Sequence, residues 1–61
     1  MNFKFEIVTN DNANYTVEVG IEKGEGRIKS IRDKYNSIII PDTEILSKAL
    51  DRINCIVRNM V

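Results

Sequence analysis

Cys55 is the side chain with the clearest intrinsic reactivity, because it is the one cysteine in the chain. At helical spacing its neighbours are Asp51, Arg52, Arg58 and Asn59. Exposed thiols beside arginines are deprotonated more readily and are then nucleophilic. The chain has no histidine, which excludes a Cys–His nucleophile. Cys55 is therefore a candidate reactive thiol. The alternatives are an incidental surface residue and a small apolar contact at a dimer interface.

A cluster of positive charge lies in residues 27–34. Four of the nine lysines and arginines fall within this segment: Arg27, Lys29, Arg32 and Lys34. Such a strand can contact an anion, including a phosphate backbone. It can equally protect a sheet edge from pairing with other chains. Both interpretations stay open, and the four residues are candidate binding positions.

Acidic residues form the third candidate group. Glu6, Glu18 and Glu22 share one face of the predicted strands, and Asp11 lies in a loop. Clustered carboxylates can bind a divalent cation, but basic side chains lie near enough to neutralise them. We therefore predict no metal site and no cofactor. Asp11, Glu18 and Glu22 are instead interpreted as positions that contact a macromolecular partner.

Alternating apolar and polar residues predict two strands, at residues 2–8 and 14–22. Their apolar residues must share a face, which restricts the register. Pairing Lys4 with Glu18 is favourable, whereas the next register would place Glu6 against Glu18. The sequence thus predicts the hairpin in which Ile7 pairs with Tyr15.

Glycines at positions 24 and 26 predict a tight second hairpin. Gly24 suits the first central position of a type II′ turn. This turn would pair Ile21 with Ile28 and Glu22 with Arg27.

The third strand, predicted at residues 27–32, does not alternate regularly. A bulge near Ser30 would bring Ile31 to the core, and without one Ile31 would lie on the opposite face. Residues 33–36 predict a turn. The apolar run that follows predicts a fourth strand at residues 37–40, buried on both sides.

The rest of the chain predicts one amphipathic helix at residues 42–60. Pro41 precedes it, Asp42 is a favourable N-cap, and Glu44 suits the positive end of the helix dipole. At about 100° per residue, the apolar side chains fall within an arc of roughly 160°. These side chains are Ile45, Leu46, Ala49, Leu50, Ile53, Ile56, Val57, Met60 and Val61.

The predicted fold class is α+β, over one domain at residues 1–61. It is a four-stranded antiparallel β-meander followed by one C-terminal amphipathic α-helix packed on one sheet face. A core of this size supplies only about 3–5 kcal/mol without further support. A single cysteine excludes an internal disulfide. We therefore expect a homodimer.

Composition limits the classes of function. The formal net charge is zero, which argues against a strongly basic nucleic-acid binder. No signal peptide and no membrane-spanning run is recognisable, and the free thiol suits a reducing compartment. A cytoplasmic protein without a membrane partner is expected. Abundant Ile, Asn and Lys are compatible with an AT-rich genome, such as that of a low-GC bacterium or its phage.

Residues 36–45 read Asn-Ser-Ile-Ile-Ile-Pro-Asp-Thr-Glu-Ile, a short apolar stretch that runs into an acid-capped helix. With four strands before one helix, this resembles the PC4-like single-stranded-DNA-binding proteins. The resemblance implies a dimer formed through helices and strands, with nucleic acid bound on the sheet. The chain departs from the family at Asn36 and Ser37, where Lys-Gly is usual, and at Ile45, where an aromatic residue is frequent. The predicted sheet face also lacks the aromatic residues on which bases stack.

The function predicted from these features is a small, homodimeric, non-catalytic accessory protein that binds a macromolecular partner. Phages and mobile elements use such proteins to inhibit host or defence machinery. The alternative is PC4-like nucleic-acid binding through the basic third strand. A weak metal-dependent nuclease is a distant third.

Overall fold

The computed structural model describes residues 1–59 of the chain. Three strands come first: β1 (Asn2–Val8), β2 (Asn14–Glu22) and β3 (Glu25–Arg32). One helix, α1 (Thr43–Asn59), follows them. The strands form an antiparallel sheet in the order β1-β2-β3, and α1 contacts all three. The architecture is therefore α+β, with three strands where four were predicted.

The first hairpin has the predicted register. Lys4 lies opposite Glu18, and Ile7 lies opposite Tyr15. In the connecting turn the Thr9 N–H donates to the Ala13 carbonyl at 3.0 Å. Alternation and one favourable charge pair were therefore enough to fix this pairing.

The predicted type II′ turn of the second hairpin is wrong. Lys23 and Gly24 both have positive φ, at 53° and 79°. Two successive left-handed residues are the pattern of a type I′ turn, which matches the twist of the flanking strands. Glu22 therefore pairs with Glu25, and β3 begins two residues earlier than predicted.

This turn changes the residue opposite Ile21. Ile21 pairs with Gly26, and Ile28 pairs with Val19 instead. Gly26 lies directly beneath the helix, where a Cβ atom would collide with the Ile53 side chain. The register places the glycine where the helix leaves no room for a side chain.

Of the two alternatives left open for β3, the structure has the bulge near Ser30. Glu18 pairs with Ser30 and Val19 pairs with Ile28, so Lys29 is the extra residue. The bulge reverses the alternation of side chains along β3. As a result Ile31 faces the helix and is only 2% exposed.

The predicted fourth strand at residues 37–40 is not formed. One isolated bridge joins Arg32 to Ile38, and the Ile39 N–H donates to the Ile31 carbonyl at 2.9 Å. Ile38 is 66% exposed and Ile40 is 97% exposed, so the run is not buried on both sides.

Two features of the sequence end this pairing after one bridge. Continued in the same register, the next hydrogen-bonded position would set residue 41 against Lys29. Pro41 has no N–H to donate, and Lys29 is the bulged residue of the strand it would meet. The chain therefore leaves the sheet and enters the helix.

The start of α1 is fixed by two carboxylates. Asp42 caps the helix by accepting a hydrogen bond from the Ile45 N–H at 2.9 Å. Glu44 accepts one from the Asn10 N–H at 2.8 Å, which joins the helix to the β1–β2 turn.

The predicted helix positions Met60 and Val61 lie outside the described residues. Within residues 1–59 no helix is long and apolar enough to cross a membrane.

The core lies between the inner sheet face and α1. Val17, Val19 and Ala49 are 0% exposed. The buried apolar residues are Ile7, Val17, Val19, Ile21, Ile31, Ile45, Ala49 and Ile53. Leu46 and Leu50 were assigned to the buried arc of the helix but are 38% and 48% exposed. Three strands are too narrow to cover an apolar arc of roughly 160°.

Candidate functional site

The sheet face that points away from α1 is here called the open face. No element of residues 1–59 packs across it. Its side chains follow from the strand register and are mostly polar. They are Asn2, Lys4, Glu6, Asn14, Thr16, Glu18, Glu22, Glu25, Arg27, Lys29, Ser30 and Arg32, with Gly20 and the apolar Val8 among them.

The centre of the open face is a short polar row across all three strands. Lys4 lies opposite Glu18, and Glu18 lies opposite Ser30. The Ser30 hydroxyl donates to the Glu18 carboxylate at 3.5 Å. Beside this row Arg32 donates to the Asn36 carbonyl at 3.1 Å. These residues surround a shallow polar depression, so the centre offers both charge signs to a partner.

A second depression lies around Gly20, toward the second hairpin. A Cβ atom on Gly20 would meet the Lys29 Cε at 3.0 Å and the Asn2 side-chain oxygen at 3.3 Å. The aliphatic part of the bulged Lys29 therefore lies over the glycine. Arg27 is nearby and forms an ion pair with Glu25 at 3.9 Å, in which both side chains are exposed. An exposed pair of this kind is weak and leaves both groups available for other contacts.

Charges of both signs are interspersed over the open face. Four basic residues (Lys4, Arg27, Lys29 and Arg32) stand among four acidic ones (Glu6, Glu18, Glu22 and Glu25). The net charge of the face is therefore zero. A surface that tracks a phosphate backbone carries an excess of positive charge. The open face lacks that excess.

Five of the residues predicted to bind a partner lie on this face: Glu18, Glu22, Arg27, Lys29 and Arg32. Lys34 does not, because it follows β3 in a turn, where its Nζ is 5.1 Å from the Tyr35 ring centroid. Sequence reasoning did not choose Lys4 and Ser30 as site residues. Their register positions opposite Glu18 are the signal that could have identified them.

Asp11 has a structural role in the β1–β2 turn. The Thr9 hydroxyl donates to its carboxylate, and Thr9 is itself buried. This hydrogen bond is the main cause that lowers the pKa of Asp11 from its ordinary value of 3.8. Asn12, the next residue, has a positive φ of 65°. Asp11 therefore helps to hold a strained turn, although its exposed carboxylate can still face a partner.

Replacing Thr9 with valine will raise the pKa of Asp11 toward 3.8, because valine keeps the shape but cannot donate. A lowered pKa stabilises the fold above the ordinary pKa, and the contribution is lost as the pH falls through the folded-state value. The variant should therefore lose less of its stability on acidification below about pH 4. Carboxyl chemical shifts followed by NMR titration measure the pKa. Thr16→Val is the control and should leave the Asp11 titration unchanged.

Cys55 lies on α1, away from the open face, and is exposed. It borders a groove between the helix and β1, together with Glu6, Lys48 and Arg52. Reactivity of this thiol stays a prediction.

In the described part of the chain, no group of three acidic, cysteine or histidine side chains is placed to hold a metal ion.

Comparison of the chain with protein-family models, curated proteins and solved structures gives no match. The resemblance to PC4-like proteins therefore stays an expectation drawn from residues 36–45. The four-strand order that supported it is replaced by three strands within residues 1–59.

Proposed function

We propose that this chain is a non-catalytic, homodimeric accessory protein of the cytoplasm that binds another protein through its open face. A phage or mobile-element protein that inhibits host machinery is one member of this class. The observation that supports the proposal most strongly is the interspersed charge of the open face. Four acidic and four basic side chains share this face over three strands.

Such a surface favours a protein partner for a physical reason. Interspersed charges give specificity and orientation, because each must meet its opposite on the partner. A polyanion would meet Glu18 at the centre of the face and the Glu22–Glu25 pair near the hairpin. Each of these acids repels phosphate, so the face opposes sequence-independent binding along a nucleic-acid backbone.

The aromatic residues support the same conclusion. Phe3, Phe5 and Tyr15 belong to the inner face and pack against the core. Tyr35 is 76% exposed but lies in the turn after β3, not on the sheet. Single-stranded nucleic acids are usually held by bases stacked on aromatic side chains. On the open face, no aromatic side chain within the described residues offers such a platform.

Glu18→Arg separates protein binding from nucleic-acid binding, because the two models predict opposite effects. A protein partner complementary to Glu18 should bind at least about tenfold more weakly, since like charges would then face each other. A nucleic acid should bind more tightly to the added positive charge. Affinity capture from a lysate of a low-GC bacterium, followed by mass spectrometry, measures the first effect. Fluorescence anisotropy with single-stranded and duplex oligonucleotides measures the second.

Asp51→Arg is the matched control, because it makes the same charge change on the exposed side of α1. A genuine partner is captured by the wild-type protein and by Asp51→Arg, but is lost with Glu18→Arg. Oligonucleotide binding that tightens in Glu18→Arg and falls steeply with salt would favour the alternative, a nucleic-acid contact through Arg27, Lys29, Arg32 and Lys34. Capture that is unaffected by Glu18→Arg would exclude the open face as the binding surface.

A further inference from the structure

β1 is an edge strand whose outer backbone groups are unpaired within residues 1–59. Hydrogen bonds join Met1 to Ile21 at one end of the first hairpin and Thr9 to Ala13 at the other. In an antiparallel ladder the hydrogen-bonded positions alternate. Odd-numbered residues of β1 therefore bond to β2, and the N–H and C=O groups of the even-numbered residues point outward. These residues are Asn2, Lys4, Glu6 and Val8.

The two edges of the sheet differ in how they are protected. The β3 edge has a bulge at Lys29, and near Arg32 it is covered by the segment that donates through Ile39. Bulges and covering segments are the usual devices that stop an edge from pairing with another chain. β1 is seven residues long, has no bulge and contains no proline. Its inward side chains are apolar, so no inward-pointing charge blocks it either.

We propose that β1 pairs with β1 of a second copy of this chain, in antiparallel orientation, to form a continuous six-stranded sheet. The inference rests on the homodimer of the proposed function and does not depend on the partner bound by the open face. The register is centred on Phe5. Lys4 then faces the partner subunit's Glu6, and Glu6 faces the partner subunit's Lys4.

Charge selects this register. Among the residues whose backbone groups point outward, the charged ones are Lys4 and Glu6. Their side chains lie on the open face. Moving the register by two residues in one direction would place Lys4 against the partner subunit's Lys4. Moving it in the other direction would place Glu6 against the partner subunit's Glu6. Like charges directly opposite each other are destabilising, whereas opposite charges are favourable. Only the register centred on Phe5 satisfies both charge pairs at once.

The inner face supports the same pairing. Phe3 and Phe5 are half-buried at the β1 edge, with ring centroids 6.1 Å apart. Arg52 of the helix lies over the Phe5 ring at 5.8 Å and covers it only partly. In the dimer Phe5 meets the partner subunit's Phe5 at a non-hydrogen-bonded position, where cross-strand side chains are closest. Both helices lie on the same side of the joined sheet, and the aromatic rings fill the space between them.

Charge reversal gives a direct test of this interface. In Lys4→Glu two glutamates face each other across the axis, and in Glu6→Lys two lysines do. Each variant alone should dimerise at least about tenfold more weakly than the wild-type protein. An equal mixture should form a heterodimer, because every charge then meets its opposite. Sedimentation equilibrium measures dimerisation, and native mass spectrometry with one variant ¹⁵N-labelled identifies the heterodimer.

Amide hydrogen exchange locates the interface independently. The N–H groups of Lys4 and Glu6 should exchange freely in dilute protein and become protected as the concentration rises. Lys29→Glu makes the same charge change as Lys4→Glu but at the β3 edge, and it should leave the dimer unaffected. Circular dichroism confirms that each variant is folded. Formation of the heterodimer shows that both variant chains can still dimerise.

Two results would overturn the proposal. One is a wild-type chain that stays monomeric at hundreds of micromolar, which would also remove the homodimer from the proposed function. The other is a dimer in which the Lys4 and Glu6 amides still exchange freely. That result would move the interface elsewhere and leave the homodimer intact. Neither result bears on Glu18 and the open face, so the two proposals fail separately.

Discussion

Replacing Gly26 with alanine will lower the free energy of unfolding by about 1–3 kcal/mol, the usual cost of overpacking a core. Gly26 faces the helix opposite Ile21, and an added Cβ would collide with the Ile53 Cγ2 methyl. That methyl is attached at the β-branch of Ile53, so it cannot move without moving the helix. A chain of this size has only about 3–5 kcal/mol of stability from its core. Urea denaturation should therefore show a large shift of the midpoint.

Gly20→Ala is the matched control for this substitution, since Gly20 is also a strand glycine. Its added Cβ would meet the far end of the flexible Lys29 side chain, which can move aside. The effect on stability should be within about 0.5 kcal/mol. A loss in Gly20→Ala as large as that in Gly26→Ala would show that strand glycines matter here for their backbone alone.

Ile53→Leu should rescue Gly26→Ala. Leucine has no β-branch methyl, so it removes the atom that collides while keeping the volume of the side chain. Alone, this swap should cost less than about 1.5 kcal/mol. In the double variant the two losses should be less than additive, because the collision is gone. Additive losses would contradict the contact between Gly26 and Ile53.

Ala49→Leu will also destabilise the fold by about 1–3 kcal/mol or prevent folding. Ala49 is 0% exposed and lies one turn from both Ile45 and Ile53, in the middle of the buried stripe of α1. A small side chain there lets the helix approach the sheet closely. A leucine would push the helix away from Val17 and Val19, both of which are completely buried.

Ser47→Leu is the control for the Ala49 experiment. Ser47 is exposed on the same helix, and leucine has a slightly higher helix propensity than serine. Its stability should stay within about 0.5 kcal/mol of the wild-type value. Thermal and urea denaturation measure both variants. Equal stability of Ala49→Leu and the wild-type protein would show that the helix does not pack closely on the sheet.

Local chemistry allowed much of this fold to be predicted. The first hairpin followed from alternation and from the Lys4–Glu18 pair, which act between neighbouring strands. The helix start followed from Asp42, whose cap acts within one turn. The spacing of Ile28 and Ile31 raised a bulge as one of two alternatives, and the structure has the bulge.

The errors arose where distant parts of the chain decide the outcome. The second turn places Gly26 beneath Ile53, a contact between residues far apart in the sequence. The run at residues 38–40 was interpreted as a buried strand from its composition. Whether it pairs is decided by Pro41 and by the bulge at Lys29, which together stop the ladder. An apolar run indicates burial only where a neighbouring strand can accept it.

The residues of the candidate site also differ in whether local sequence or distant contacts decide their positions. Alternation alone placed Glu6, Glu18 and Glu22 on one face. Arg27 and Arg32 join them through a β2–β3 register that the sequence did not predict. The position of the Lys29 side chain over Gly20 could not be predicted, because it depends on the exact geometry of the bulge. Asp11 was chosen for its charge, but its hydrogen bond with Thr9 gives it a role in the turn.

The order of elements has a consequence for synthesis. α1 is translated after the three strands, yet it supplies Ile45, Ala49 and Ile53 to the core. Nascent chains that have emerged only as far as β3 therefore expose Val17 and Val19 to water and to other chains. Such intermediates are prone to aggregation. Folding on the ribosome cannot be completed before the helix emerges. Until then chaperones can bind the exposed hairpins.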